Sequence, residues 1–121
     1  MLNNYAVGTD IVEVRRIREL HKRHGERFLR HVFSRKEVSW CEDRADPDMH
    51  LAGRFAAKEA VKKGLLTLGE KNIPLTDIEV VRSDGPPSVA VGSSVRNDYS
   101  FQISISHTEQ YATAVAIVEC R

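Results

Sequence analysis

Two carboxylates and a histidine stand where they could do chemistry. Asp10 follows Gly8, at what reads as the junction between a strand and a helix. A carboxylate there commonly caps the helix, and spacing alone favours that reading. The alternative is a ligand for a hard cation, because such junctions present side chains into clefts. Glu59 lies in RFAAKEA beside Lys58, with Lys62 and Lys63 on the next turn. Most Lys-Glu helices are solvated faces with local charge partners. Here Ala56, Ala57 and Ala60 remove bulk around Lys58 and Glu59, so something can approach the helix closely. Together with Asp10, Glu59 could complete a Mg²⁺ site, since that ion commonly takes one or two protein carboxylates and leaves its other positions to water and phosphate. His107 closes the run SISH. It is either surface decoration on a turn or, at the mouth of a sheet, a contact for a phosphate. There is no G-x-S-x-G elbow for a serine hydrolase. No Walker loop or G-x-G-x-x-G turn appears either, so ordinary nucleotide folds are unsupported.

The elements that must carry these residues are legible in outline. Residues 5–9 read as a short strand. Val14, Ile17, Leu20 and His24 recur at helical spacing, with Arg15, Arg16, Arg18, Lys22 and Arg23 on the other faces. Gly25 breaks that helix, and Phe28, Leu29, Val32 and Phe33 suggest another apolar turn or short helix. Ser34 and Glu37 form a capping box for a helix over about residues 35–43. Asp46-Pro47 is a second start signal, an N-cap with proline at N1. The helix that follows should be the longest, reaching about residue 66 with a buried stripe of Leu51, Phe55, Ala56, Ala60, Val61 and Leu65. The period then changes to two. Residues 78–82 read as a strand, SDGPPS as a turn with Asp84-Gly85 hairpin chemistry, and 88–91 as the next strand. Residues 92–99 are loop or a short helix, and 101–106 and 111–119 alternate as strands around a turn at 107–110. Helices followed by an antiparallel meander make an α+β fold, N-terminal helices packed on a small sheet, in a single domain spanning 1–121.

Bulk composition sets the frame. With 41% apolar and 29% charged residues in 121, the chain is ordinary for a globular domain and can bury a modest core. No apolar run approaches the roughly 20 residues that span a membrane, and the N-terminus does not resemble a signal peptide. Cys41 and Cys120 match no metal spacing, so a reduced, cytoplasmic protein is expected. The net charge of +1 hides an asymmetry: residues 15–36 hold nine Lys or Arg against Glu19 and Glu26, plus three histidines. That block is a candidate docking surface for an anionic partner.

Three blocks, VGTDIVEVRRI at 7–17, LAGRFAAKEAVKKGL at 51–65 and ISISHTEQYATAVAIVE at 103–119, resemble the holo-acyl-carrier-protein synthase family of 4′-phosphopantetheinyl transferases. They occur in the family's order and spacing, and the likeness covers essentially the whole chain. It implies the 4′-phosphopantetheinyl transferase fold and transfer of the phosphopantetheine arm of coenzyme A to a serine of apo-acyl-carrier protein, as in fatty acid biosynthesis. Adenosine 3′,5′-bisphosphate is the leaving product. By the same resemblance Asp10 and Glu59 match the Mg²⁺ ligands. Arg54, Lys58, Lys63 and His107 match coenzyme A contacts, with Lys62 a neighbour of Lys63 that could take its role. Glu59 is the candidate base, directly or through a metal-bound water, and Lys63 a second catalytic group. Carrier proteins are acidic around the acceptor serine, so Arg15, Arg16, Arg18 and Arg23 would dock that partner. Members are typically homotrimers with active sites between subunits. The turn SDGPPS departs from the family, which more often has a lysine between the glycine and the proline. Trp40 and the run 41–50 carry no assigned function.

Two other readings compete. A basic nucleic-acid-binding module would use the same first helix, but aromatics are only 7% of the chain and none interleaves with Arg15 to Arg23. A non-catalytic homologue that binds coenzyme A or the carrier is opposed by the presence of both Asp10 and Glu59. Neither nucleic acid nor membrane is expected as a partner.

Overall fold

A computed structural model describes residues 4–82 and 85–121. It opens on a strand, β1 (Tyr5–Glu13). The strand outruns the expected end at residue 9 because the alternation continues: Ala6, Gly8, Asp10 and Val12 turn inward while Tyr5, Val7, Thr9 and Ile11 stay exposed. Asp10 therefore lies inside a strand, and the residue before the first helix is Glu13. The helix-cap reading of Asp10 is overturned.

Helix α1 (Val14–His24) buries Val14 and Ile17, while His24, expected on the apolar stripe, is exposed. Gly25 then adopts φ +54°, a conformation that disfavours side chains, and ends the helix. Helix α2 (Glu26–Val32) buries Leu29 and Val32. Helix α3 (Arg35–Glu42) starts with the expected capping box. The Ser34 hydroxyl accepts from the Glu37 amide at 3.2 Å, and the Ser34 amide donates to Glu37 Oε1 at 2.9 Å. Such a cap contributes about 1 kcal/mol.

Helix α4 (Pro47–Thr67) is the axis of the molecule. Proline stands at N1 as expected, but Asp46 makes no capping bond. Its two oxygens accept from the Arg18 guanidinium at 3.1 and 3.2 Å instead, which ties α1 to the start of α4.

The strands do not form one meander. β2 (Ile78–Val81) and β3 (Ser88–Val91) make a separate two-stranded ladder, while β4 (Tyr99–His107) and β5 (Tyr111–Cys120) join β1 in a sheet of order β1-β5-β4. The first strand closes on the last, with Gly8 opposite Ala116 and Asp10 opposite Ala114. The expected SDGPPS turn includes Ser83 and Asp84, which lie outside the described residues.

One face of this sheet packs on α4, and small residues set the spacing. Ala112, Ala114 and Ala116 of β5 meet a helix whose Ala52, Ala56, Ala57 and Ala60 are all fully buried. At Gly8 the approach is closest: a Cβ there would run into the Ala60 carbonyl. The alanines around Glu59 therefore admit the protein's own sheet. The expected stripe of α4 is buried, except that Phe55 is half-buried, but burial extends to Gly53, Arg54, Lys58 and Gly64. Each fully buried Leu or Val of that stripe contributes about 1.5–3 kcal/mol.

Two acids lock the periphery. Glu37 and Lys58 are both fully inaccessible and pair at 2.5 Å, and Glu37 Oε2 also accepts from the Val80 amide. One carboxylate thus joins α3, α4 and β2. Glu70, just beyond α4, accepts from the Arg96 and Asn97 amides, the Asn97 side chain and the Tyr99 hydroxyl, and so fixes the loop leading into β4.

Candidate active site

The contact of Gly8 with Ala60 sets where β1 crosses α4, and the chemical groups gather around it. Two residues along β1, Asp10 accepts from Lys63 Nζ at 3.3 Å, and the same ammonium donates to the Thr9 carbonyl at 2.9 Å. Glu59 adjoins Ala60 and sits one helical turn before Lys63. It is half-buried and, among the described residues, holds no ion-pair partner. The local pairing of Glu59 with Lys63 considered from the sequence is therefore not made, since Lys63 reaches across to β1.

These oxygens fit a hard divalent cation. Among the described residues no cluster of three or more His, Cys, Asp or Glu could enclose a metal. An all-protein cage is thus absent there, and what remains is Asp10 with the Lys63 ammonium drawn to it and Glu59 one helical turn from that lysine. That donor set suits Mg²⁺, which keeps most of its coordination for water and substrate.

A second cluster lies toward the N-terminal end of α4. Arg54 is only 3% exposed, and its Nε and Nη2 have no hydrogen-bond partner among the described residues. Burial lowers its pKa first of all, and Arg82 and Arg44 lower it further, against opposing contributions from Cys41 and Glu37. His107, the last residue of β4, stacks edge-on against His50 at 5.2 Å, and His50 against Trp40 at 5.4 Å. Burial, then His107 and the two arginines Arg54 and Arg44, push the His50 pKa down. His107 and Arg54 line one cleft of about 150 Å³ with Trp40, Arg82 and Gly53. Asp10 and His107 belong to the two outer strands of the sheet, on opposite sides of β5.

Two expected site residues are placed otherwise. Lys58, read as a coenzyme A contact, is sealed beneath α3 against Glu37, because its side chain leaves α4 on the core side. Arg18, read as a docking cation, is bound to Asp46 and Asp48, and His21 contacts Asp48 at 2.7 Å. Arg15 makes a loose 3.9 Å pair with Glu19, and Arg16 and Arg23 stay exposed. Sequence reasoning missed Trp40, Arg44, His50 and Arg82. They come from three segments with no shared periodicity, and the lone tryptophan was the only flag.

Two carboxylates thus stand at one level of α4, and cationic donors without partners among the described residues at another. The family model for the 4′-phosphopantetheinyl transferase superfamily matches residues 6–116, and the chain belongs to this superfamily. The holo-[acyl-carrier-protein] synthase of Chlamydia muridarum is 42% identical over 118 residues, covering 95% of this chain and 94% of that protein. That of Protochlamydia amoebophila is 42% identical over 115 residues, covering 92% and 94%. Among solved structures, a Chronobacterium ammoniagenes ACPS–CoA complex has TM-score 0.82 at 28% identity, covering 97% of this chain and 98% of that one. The Helicobacter pylori holo-[acyl-carrier-protein] synthase in complex with coenzyme A has TM-score 0.77 at 30% identity, covering 96% and 100%.

Proposed function

We infer that the protein is a holo-[acyl-carrier-protein] synthase that transfers 4′-phosphopantetheine from coenzyme A to a serine of apo-acyl-carrier protein. In this reaction the serine oxygen attacks the phosphorus on the pantetheine side. The bond to the bridging oxygen breaks, and adenosine 3′,5′-bisphosphate leaves with the electron pair. The serine proton passes to a base. The observation that carries this reading is the meeting of Asp10 and Lys63 where β1 crosses α4, one turn from a Glu59 that has no ion-pair partner among the described residues.

We assign Asp10 and Glu59 to Mg²⁺, which when bound supplies neutralising charge to the pyrophosphate oxygens. Lys63 is exposed enough to swing from Asp10 toward phosphate. Glu59 is the candidate base. Arg54 and His107 take substrate phosphates, with arginine offering a bidentate fork. Lys58 is withdrawn from this set, because its ammonium is spent on Glu37. Arg16 and Arg23, with Arg15 less tightly engaged, form the docking face for an acidic carrier. Arg18 supports that face by pinning α1 to α4.

A homotrimer with shared sites is supported by the outer face of the sheet. Val7 and Ile11 are 64% and 66% exposed, with Tyr5, Tyr111, Val115 and Ile117 beside them. An apolar band of this kind marks an interaction surface. Asp10 and His107 stand near opposite edges of that sheet, so neighbouring copies could bring the two clusters together. Two free cysteines, one of them buried, fit a reducing cytoplasm, and the chain would act as one domain.

The test is to incubate the protein with coenzyme A, Mg²⁺ and a competent apo-carrier protein and to weigh the carrier. A pantetheine adduct is expected, lost in Glu59→Gln while the far-ultraviolet spectrum stays native. Arg16→Glu should raise KM for the carrier but not for coenzyme A. No adduct with the native enzyme would sink the activity, and a fully active Glu59→Gln would remove that residue's role.

A further inference from the structure

Trp40 is the one tryptophan of the chain, and arginines surround it. The guanidinium carbons of Arg44 and Arg54 lie 3.7 and 4.0 Å from the centre of its ring. Two guanidinium groups that near one ring cannot share a face without colliding, so the indole lies between them. Arg82 stands 5.7 Å from the same centre. Stacking on an aromatic face holds a guanidinium by its plane and leaves its N–H edge unused. That matches the donors present: Arg54 Nε and Nη2 and Arg44 Nε are buried and have no partner among the described residues. The acid that could have balanced them, Glu37, is occupied by Lys58 and by the Ser34 and Val80 amides. Among the described residues no acid lines the cleft of about 150 Å³ that Arg54, Arg82 and His107 share. Burying cationic donors without acceptors is costly, and a group with several anionic oxygens relieves that cost.

We propose that Trp40, braced by Arg44 against its ring, is a positioning residue that holds Arg54 edge-on to a phosphate-binding cleft completed by Arg82 and His107. The ligand class is a phosphate monoester borne by a nucleotide. This rests on the reading of Arg54 and His107 as substrate phosphate contacts and extends it to three residues outside that set. The indole has both faces occupied, so it does not stack on the nucleotide base. Its part is to fix the Arg54 fork in a geometry that water alone would not maintain.

Because Trp40 is the sole tryptophan, its emission reports on the cleft directly. Adenosine 3′,5′-bisphosphate should change that emission saturably, adenosine should not, and Arg54→Gln should abolish the response. In transfer assays Trp40→Leu should raise KM for coenzyme A about tenfold while kcat changes less than about twofold, and Trp40→Phe should recover most of the loss. Arg82→Gln, a surface change that leaves the core intact, should raise the same KM. The proposal is overturned if the native emission ignores the bisphosphate, if Leu and Phe variants behave alike, or if KM for the carrier rises equally. Loss of transfer in the native protein would instead refute the reading on which it rests. Thermal melting separates a misfolded Leu variant, and the native titration and Arg82→Gln then decide.

Discussion

The fully buried pair of Lys58 and Glu37 shows how far a single side chain can depart from its neighbours on the same helix. Lys58 and Glu59 are consecutive, yet one is sealed in the core and the other is only half-buried. Burial lowers the Lys58 pKa, and the charge of Glu37 opposes that shift. Removing one member leaves the other buried and unpaired, which costs about 3–5 kcal/mol. Lys58→Ala should therefore lower the urea-unfolding free energy by about that amount, with any loss of activity following from instability. A loss no larger than that of an exposed lysine would contradict the pairing. Asp10, Glu59, Lys63, Arg54 and His107 could be proposed as site residues from the sequence, through the motifs that hold them. Whether each faced the core or the cleft was not readable there. That depends on which residues 21 or 28 positions away come to rest against them, as Glu37 does for Lys58 and Asp46 for Arg18.

At the scale of elements, the boundaries that local chemistry controls were the readable ones. The Ser34 box, Pro47 and the strand alternation of residues 101–106 mark starts and faces by themselves. The pairing of β1 with β5 was not readable, because nothing near Tyr5 encodes a partner more than a hundred residues away. The loop before β4 gives this level its test. Burial pushes the Glu70 pKa up, but bonds from the Arg96 and Asn97 amides, the Tyr99 hydroxyl and the Asn97 side chain outweigh it, and the net shift is downward. A carboxylate depressed in the folded state contributes stability above its unfolded value and loses it as pH falls through the folded one. Stability should thus decline below about pH 4.5. Asp46, held by Arg18, and Asp77, held by Ser94, act in the same sense. Glu70→Gln should flatten part of that acid limb in denaturation curves taken across pH. An unchanged slope would remove Glu70 from the account.

For the whole molecule, the sheet is covered by a helix on one face and exposes the apolar band of Val7, Ile11, Val115 and Ile117 on the other. If three copies close on that face, Ile11→Glu should yield a monomer by sedimentation and a loss of transfer together. A variant that stays associated and active would refute the assembly. Among the described residues no helix is long and apolar enough to cross a membrane, so the apolar face is not continued by a spanning segment there. The same assembly would make thermal stability rise with protein concentration.

Glu37 also bears on how the chain comes together. Its cap on α3 is local, but its other partners, Lys58 and the Val80 amide, are 21 and 43 residues further along. A carboxylate that caps a helix in water is comfortable; the same group enclosed with one partner missing is not. Helix α3 is therefore denied a partial life of its own: it can be exposed and capped, or buried with α4 and β2 both present. The expectation is an all-or-none unit, in which α3 amides exchange with solvent hydrogen only as fast as those of α4. Fraying of α3 ahead of α4 would show that the buried carboxylate does not bind the three elements into one cooperative body.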